Sequence, residues 1–151
     1  MMDETESFAM SELEGVLLFR GVELGSIQEI LENCPVQKLK SGEVLIDAGQ
    51  PNHSIHVLLT GHLSVHLELS LQPIARLEQG EVAGEISVVD GEPATAYVVA
   101  DEDCRVLELS EDVLWSLLEA SPRIAHNLLY IVVQRLRRGD SLIRALSLAG
   151  G

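Results

Sequence analysis

The sequence predicts a mixed, mainly β fold: an antiparallel sandwich or roll with short helices before it and two helices after it. Three observations carry this reading. From Val36 to Leu109 the chain runs in short alternating or apolar stretches, broken about every eight to twelve residues by Gly, Pro, Asn or Asp. On either side of that stretch, apolar residues recur at three- and four-residue spacing. Hydrophobic residues make up 46% of the 151 positions and aromatic ones only 3%, so an aliphatic core of one ordinary domain is available.

Taken in order, residues 1–7 are acidic and polar and are expected to fray. Met10, Leu13, Val16 and Leu17 then predict a helix with Ser11 as its N-cap, interrupted at Gly21. A second short helix is expected from Leu24 or Ser26 to Asn33, with Ile27, Ile30 and Leu31 facing inward and Pro35 as its stop. The predicted strands are VQKLK, EVLIDA, SIHVLLT, HLSVHLEL, PIARLE, TAYVVA and CRVLEL. Between them lie turn residues such as Ser41-Gly42, Gly49-Gln50-Pro51-Asn52, Gly61, Gln72-Pro73, Gly80 and Asp101-Glu102-Asp103.

Helical spacing returns at Ser110, an N-cap followed by Glu111 and Asp112, whose charges suit a helix N-terminus. Val113, Leu114, Leu117 and Leu118 form the apolar face of this helix, and Trp115 among them reads as a core or interface anchor. Ser121-Pro122 ends it and opens a longer one. There Ala125, Leu129, Val132, Leu136, Gly139, Ile143 and Leu146 make a heptad seam, widened by Leu128 and Leu142, with a break or bend expected at Gly139-Asp140. Such a stripe must be buried against its own roll or against the same helix of a second chain, and a homodimer through this helix is the expectation. The expected organisation is therefore a frayed segment 1–7, a domain over 8–120 and a C-terminal helix over 121–151 that makes the dimer or partner contact.

Charge excludes several functions. Residues 1–120 hold 23 of the 24 acidic side chains and five of the ten basic ones. Residues 121–151 set Asp140 against Arg123, Arg135, Arg137, Arg138 and Arg144. An acidic body repels DNA and anionic lipid. Scarce aromatics leave no stacking platform for single-stranded nucleic acid. The basic C-terminal segment reads as the solvated face of a helix. MMDETESF is neither a signal nor a transit peptide, and the longest apolar run, Leu128 to Val133, is far too short to span a bilayer, so a cytoplasmic location is expected.

No enzyme chemistry is predicted. There is no G-x-S-x-G elbow, and the carboxylates are scattered over the sequence. Cys34 and Cys104 stand apart and are expected to be buried as small apolar side chains. His53, His56, His62 and His66 crowd two adjacent strands, as in a metal-binding cupin. The chain nevertheless lacks an H-x-H pair, and His62 and His66 would stand about 13 Å apart on an extended strand. They are read as exposed strand residues, with no metal site.

Two short N-terminal helices, a glycine-turned roll and two C-terminal helices form a specific order. The chain reads LLFRGV, then SGEVLIDAGQPNHSIHVLLTGHLSVHL, then QGEVAGEISVVDGEPATAYVVA, then CRVLELSEDVLWSLL. The chain resembles the cyclic nucleotide-binding domain family of catabolite-activator-like regulators, kinase regulatory subunits and gated channels, over roughly residues 13 to 138. Glycines 42, 49, 61 and 80 stand where that family places its turns. The resemblance implies a jelly-roll β-roll and a phosphate-binding cassette, approximately G-E-x-A-L-x-x-x-x-P-R-A-A-T, matched here by Gly84 through Tyr97.

By that resemblance the ligand-binding residues are Gly84, Glu85, Ile86, Ser87, Ala94 and Thr95. The glycine admits the ligand, backbone N–H groups of the following turn meet the cyclic phosphate, and the glutamate accepts from the ribose 2′-hydroxyl. The family's arginine, which pairs with the phosphate, is replaced by Ala94, and no Arg or Lys occurs between Arg76 and Arg105. Asp90 and Glu92 add negative charge nearby. Losing such a contact costs about 2–5 kcal/mol, so cyclic AMP or cyclic GMP is expected to bind weakly or not at all unless Arg76 or another basic residue reaches in. Tyr97, bulkier than the family's threonine, is expected to fill part of the pocket.

Two functions follow. One is a non-enzymatic regulatory module that senses a small ligand weakly or outside the family's usual manner. The other is a ligand-free domain that acts only in dimerisation or protein interaction. With the chain ending at Gly151, no DNA-binding module is expected in it.

Overall fold

The computed structural model describes residues 7–150, and in the last helix the side chains up to Gly139 and from Arg144 to Ser147. Residues 1–6 of the expected frayed segment and the side chains of the seam's Leu142 and Ile143 lie outside the described residues. Three 3₁₀ turns at Met10–Leu13, Leu17–Phe19 and Leu24–Ser26 lead into α1 (Gln28–Leu31). The roll follows as β1 (Val36–Leu39), β2 (Val44–Ile46), β3 (Ser54–Thr60), β4 (Leu63–His66), β5 (Ala75–Leu77) and β6 (Val82–Ala83). It continues through α2 (Glu85–Asp90), β7 (Tyr97–Ala100) and β8 (Cys104–Ser110). Helices α3 (Glu111–Ala120) and α4 (Pro122–Gly150) close the chain.

Two four-stranded antiparallel sheets face one another, ordered β1-β8-β3-β6 and β2-β7-β4-β5. This is the mainly β roll that the turn spacing predicts. Period-2 alternation divides β3 and β8 between two cores. Ile55, Val57, Leu59, Leu107 and Leu109 point outward against α1, α3, α4 and the N-terminal turns, where they meet Leu13, Leu18, Ile27, Leu31, Leu114, Leu117, Ile124 and Ile131. Leu58, Val106 and Cys104 point inward and meet Leu39, Ile46, Leu63, Leu77 and Val98 between the sheets. Both cysteines are free and buried, as expected.

Several boundaries differ from the sequence reading. The first helix is only a 3₁₀ turn, preceded by Ala9, with Ser11 inside it. The Glu12 carboxylate, which accepts from the Ala9 N–H at 3.1 Å and from Arg105 Nη1 at 2.8 Å, fixes that turn in place of a serine cap. Strand β4 stops at His66, although alternation continues to Leu69. Its neighbours end there: Val65 pairs with Ala75 on one side and His66 with Tyr97 on the other. The two-residue strand β6 escaped the pattern. Ser110 caps α3 as expected, its Oγ accepting from Val113 N at 3.3 Å.

Helix α4 runs through Gly139-Asp140 without interruption, contrary to the expected break or bend, because one glycine costs only about 1 kcal/mol inside a long helix. The stripe that packs on the molecule is Ile124, Asn127, Leu128 and Ile131, one residue back from the heptad seam. Asn127 Nδ2 donates to the carbonyls of Leu18 and Arg20, both at 2.9 Å, and anchors the first half of the helix. On the seam, Leu129 is 67% and Leu136 62% exposed, flanked by exposed Tyr130 and Val133. Trp115, 52% exposed, is no core residue of this chain. Among the described residues, no helix is long and apolar enough to cross a membrane.

Candidate functional site

The site begins with Gly84. Its φ of +87° is a backbone conformation that side-chain-bearing residues avoid, and it turns the chain from β6 into α2. A methyl group there would lie 2.6 Å from Asn52 Nδ2 and 2.8 Å from the Ser54 carbonyl. Asn52 holds the turn, donating to the carbonyls of Ser54 at 2.9 Å and Gly84 at 3.1 Å. Helix α2 ends at Gly91, also left-handed, and Asp90 accepts from the Glu92 N–H at 2.9 Å. Ala94 is fixed to the turn after β2 by two backbone bonds, its N–H to Gln50 O at 2.9 Å and its carbonyl from Gly49 N at 2.7 Å.

These elements enclose a cavity of about 540 Å³ inside the roll. All six residues expected at a ligand site, Gly84, Glu85, Ile86, Ser87, Ala94 and Thr95, lie in its wall. The rest of the wall is mostly aliphatic and comes from β2, β4, β5, β6 and β7. Tyr97 does not line it, and Asp90 and Glu92 stand outside it, exposed to solvent. On strand β7 the side chain of Val98, not that of Tyr97, turns inward.

The basic residue that reaches in is not Arg76, which pairs with Asp101 at 3.1 Å. It is Arg135 of α4. Its Nε donates to Glu85 Oε1 at 2.9 Å and its Nη2 to the Val82 carbonyl at 2.6 Å. The pair is mostly withdrawn from water, with side-chain exposures of 18% for Arg135 and 5% for Glu85. One oxygen of the carboxylate that the resemblance assigns to a ribose hydroxyl is therefore bound by the chain's own guanidinium. Arg138 and Gly139, one turn on, complete the wall, so its two cations both come from α4.

Sequence reading missed both arginines. The available signal was the helical step from Ile124 through Leu128 and Ile131 to Arg135. It became decisive only once the face of α4 that packs on the roll was known.

The histidines divide. His62 is exposed, with Nε2 2.8 Å from Glu78 and Nδ1 on Glu102, and the Glu102 hydrogen bond raises its pKa most. His66 bonds Ser64 Oγ at 2.9 Å and the Leu71 carbonyl at 3.0 Å. His56 corrects the expectation of exposed strand histidines. It is buried on the central strand β3, its Nδ1 lacks a partner among the described residues, and burial lowers its pKa while Glu108 opposes this. No group of three or more potential ligands among the described residues is placed to hold a metal.

The comparisons agree with this geometry. The chain is 27% identical over 138 residues to the cyclic AMP receptor protein of Thermus thermophilus, covering 89% of this chain and 64% of that one. It is 28% identical over 90 residues to a cAMP-dependent protein kinase regulatory subunit of Colletotrichum orbiculare, covering 60% of this chain and 23% of that one. It thus spans less than two thirds of these relatives. The crystal structure of the Thermus thermophilus catabolite activator protein superposes with a TM-score of 0.75 at 27% identity, over 87% of this chain and 63% of that one. The model of the cyclic nucleotide-binding domain matches residues 36–121, more than half the chain and the whole span from β1 to α3. With that match laid over a two-sheet roll and a glycine-turned cassette, the chain belongs to the cyclic nucleotide-binding domain family.

Proposed function

We propose that this chain is a non-enzymatic, cytoplasmic regulatory module. Its roll cavity senses a small ligand outside the family's usual arginine-held manner, and α4 relays occupancy to a second copy of the chain. The observation that carries this is the Arg135–Glu85 pair. One side chain of α4 holds the carboxylate at the start of the cassette, and the next residue, Leu136, stands exposed on the seam. A ligand that engages Glu85 competes with Arg135 and so acts on the helix. Ala94 supports the atypical manner of binding, because a buried methyl offers a phosphate nothing. The exposed stripe Leu129, Val133 and Leu136, taken with Ala94, is also what a ligand-free dimerisation module would show.

Sedimentation and thermal shift test the proposal together. The wild type is expected to sediment as a dimer, and the double variant Leu129→Glu, Leu136→Glu as a folded monomer. A cyclic nucleotide at about a hundred times its dissociation constant adds about 2.7 kcal/mol of stability. Cyclic AMP, cyclic GMP and cyclic di-GMP at about 1 mM are expected to give far less than that. Micromolar capture of any of the three overturns the atypical manner of binding, and a monomeric wild type overturns the relay.

A further inference from the structure

We propose that the roll cavity takes a monoanionic amphiphile: a carboxylate with an aliphatic or aryl body, the body between the sheets and the carboxylate on Arg138. This rests on the sensing function above and names the chemistry of its ligand. The interior of the cavity is aliphatic, with Ile46, Val65, Leu77, Val82 and Val98 in the wall. Its volume suits a small ligand.

A nucleotide would find few side-chain partners there, beyond the backbone N–H groups at the start of α2. Glu85 is engaged by Arg135, Ala94 carries no donor, and of the remaining lining side chains only Ser87 and Thr95 bear hydroxyls. The sugar and base of a nucleotide buried with so few side-chain partners would leave polar groups unsatisfied, whereas a hydrocarbon would not.

The charges in the wall select an anion and fix its valence. Arg135 is matched by Glu85, so the pair contributes no net charge. Arg138, exposed on α4, makes no ion pair with another described residue and brings a second cation to the wall. In a chain of net charge −14, that charge beside an aliphatic hollow is a specific feature and not a general pull on anions. The edge of the cavity adds to the case. Leu67, Ile74 and Ile86 line it yet remain half-exposed, and an apolar ligand would remove that surface from water.

Calorimetric titration of the full chain tests this with octanoate, octan-1-ol, acetate and cyclic AMP as probes. Octanoate is expected to bind saturably at one per chain, and acetate not to bind. Octan-1-ol should bind on the order of tenfold more weakly or worse, the loss of one charge-assisted contact. Arg138→Gln should weaken octanoate by a similar factor and leave octan-1-ol unchanged. Arg137→Gln, a neighbour as exposed as Arg138 but outside the wall, should change neither. Equal losses from the two substitutions, or octanoate and octan-1-ol binding alike, overturn the assignment. Binding of cyclic AMP with none of octanoate keeps the sensing function and rejects this ligand class. Binding of neither rejects both.

Discussion

Replacing Arg135 by methionine isolates the contact between α4 and the cassette. It leaves the apolar stem in place and removes the guanidinium, so the Glu85 carboxylate, 5% exposed, loses its 2.9 Å partner and the Val82 carbonyl loses a 2.6 Å donor. Breaking a buried ion pair on one side costs about 3–5 kcal/mol. The 18% exposure of Arg135 places the expectation near the lower end, about 3 kcal/mol. For a domain of this size that is a fall in Tm on the order of 6–12 °C. Urea denaturation followed by circular dichroism reads it directly. The double variant Glu85→Leu, Arg135→Met removes both partners and should return to within about 1 kcal/mol of wild type, giving a large coupling energy in the mutant cycle. If Arg135→Met costs less than about 1 kcal/mol, or the two single changes simply add, the pair is not a buried link and the relay loses its physical basis.

Two glycines with the same backbone sign should behave differently. Gly42→Ala, at φ +91° with nothing within 4 Å of the new methyl, should cost about 1–2 kcal/mol by conformation alone. Gly84→Ala meets Asn52 and the Ser54 carbonyl and should cost about 2 kcal/mol more, read as a difference in urea midpoint. The histidines predict opposite pH dependences. His56 has a lowered pKa in the fold, so the unfolded chain takes up its proton first. Stability should fall as pH drops below about 6.5, until the lower folded pKa is passed. His62 has a raised pKa, so its contribution is complete below about 6.5 and is lost as pH rises through the folded value. Urea midpoints taken between about pH 5 and 8 should lose the acid-side slope in His56→Met and the neutral-side slope in His62→Gln.

The legible part of the fold was the part governed by local rules. Turn residues divided the strands, and the structure then sets Ile55, Val57 and Leu59 on one face of β3 and Leu58 on the other. The Ser110-Glu111-Asp112 cap started α3 where it does start. What sequence concealed depended on partners. Leu67 and Leu69 continue an alternating pattern but have no strand beside them to pair with. Val82–Ala83 is too short to display a period. His56 reads as a surface residue until β6 and β8 flank its strand. The cassette was visible through Gly84, Glu85 and the stretch to Thr95. The guanidinium that bonds its glutamate comes from a residue 50 positions away, on a helix with two adjacent apolar stripes. Only packing chooses between Ile124-Leu128-Ile131 and Ala125-Leu129-Val132.

That adjacency also bounds what the module can transmit. Consecutive residues of a helix project about 100° apart, so Arg135 in the cavity wall and Leu136 on the outer stripe belong to one rigid piece. Moving the first moves the second. The free energy available through the Arg135–Glu85 link is about 3 kcal/mol, or a bias of roughly 150-fold. Turning an equilibrium from 1:99 to 99:1 takes about 5.5 kcal/mol. The pair alone therefore supports a graded shift in the pose of α4, not a complete switch. A complete switch needs a second contribution of about 2.5 kcal/mol that differs between the two poses. Burial of the half-exposed Leu67, Ile74 and Ile86 under a ligand at the edge of the cavity is of that size, since about 100 Å² of apolar surface removed from water supplies it. A ligand that only displaced Arg135 without covering that edge would leave the helix mostly where it is.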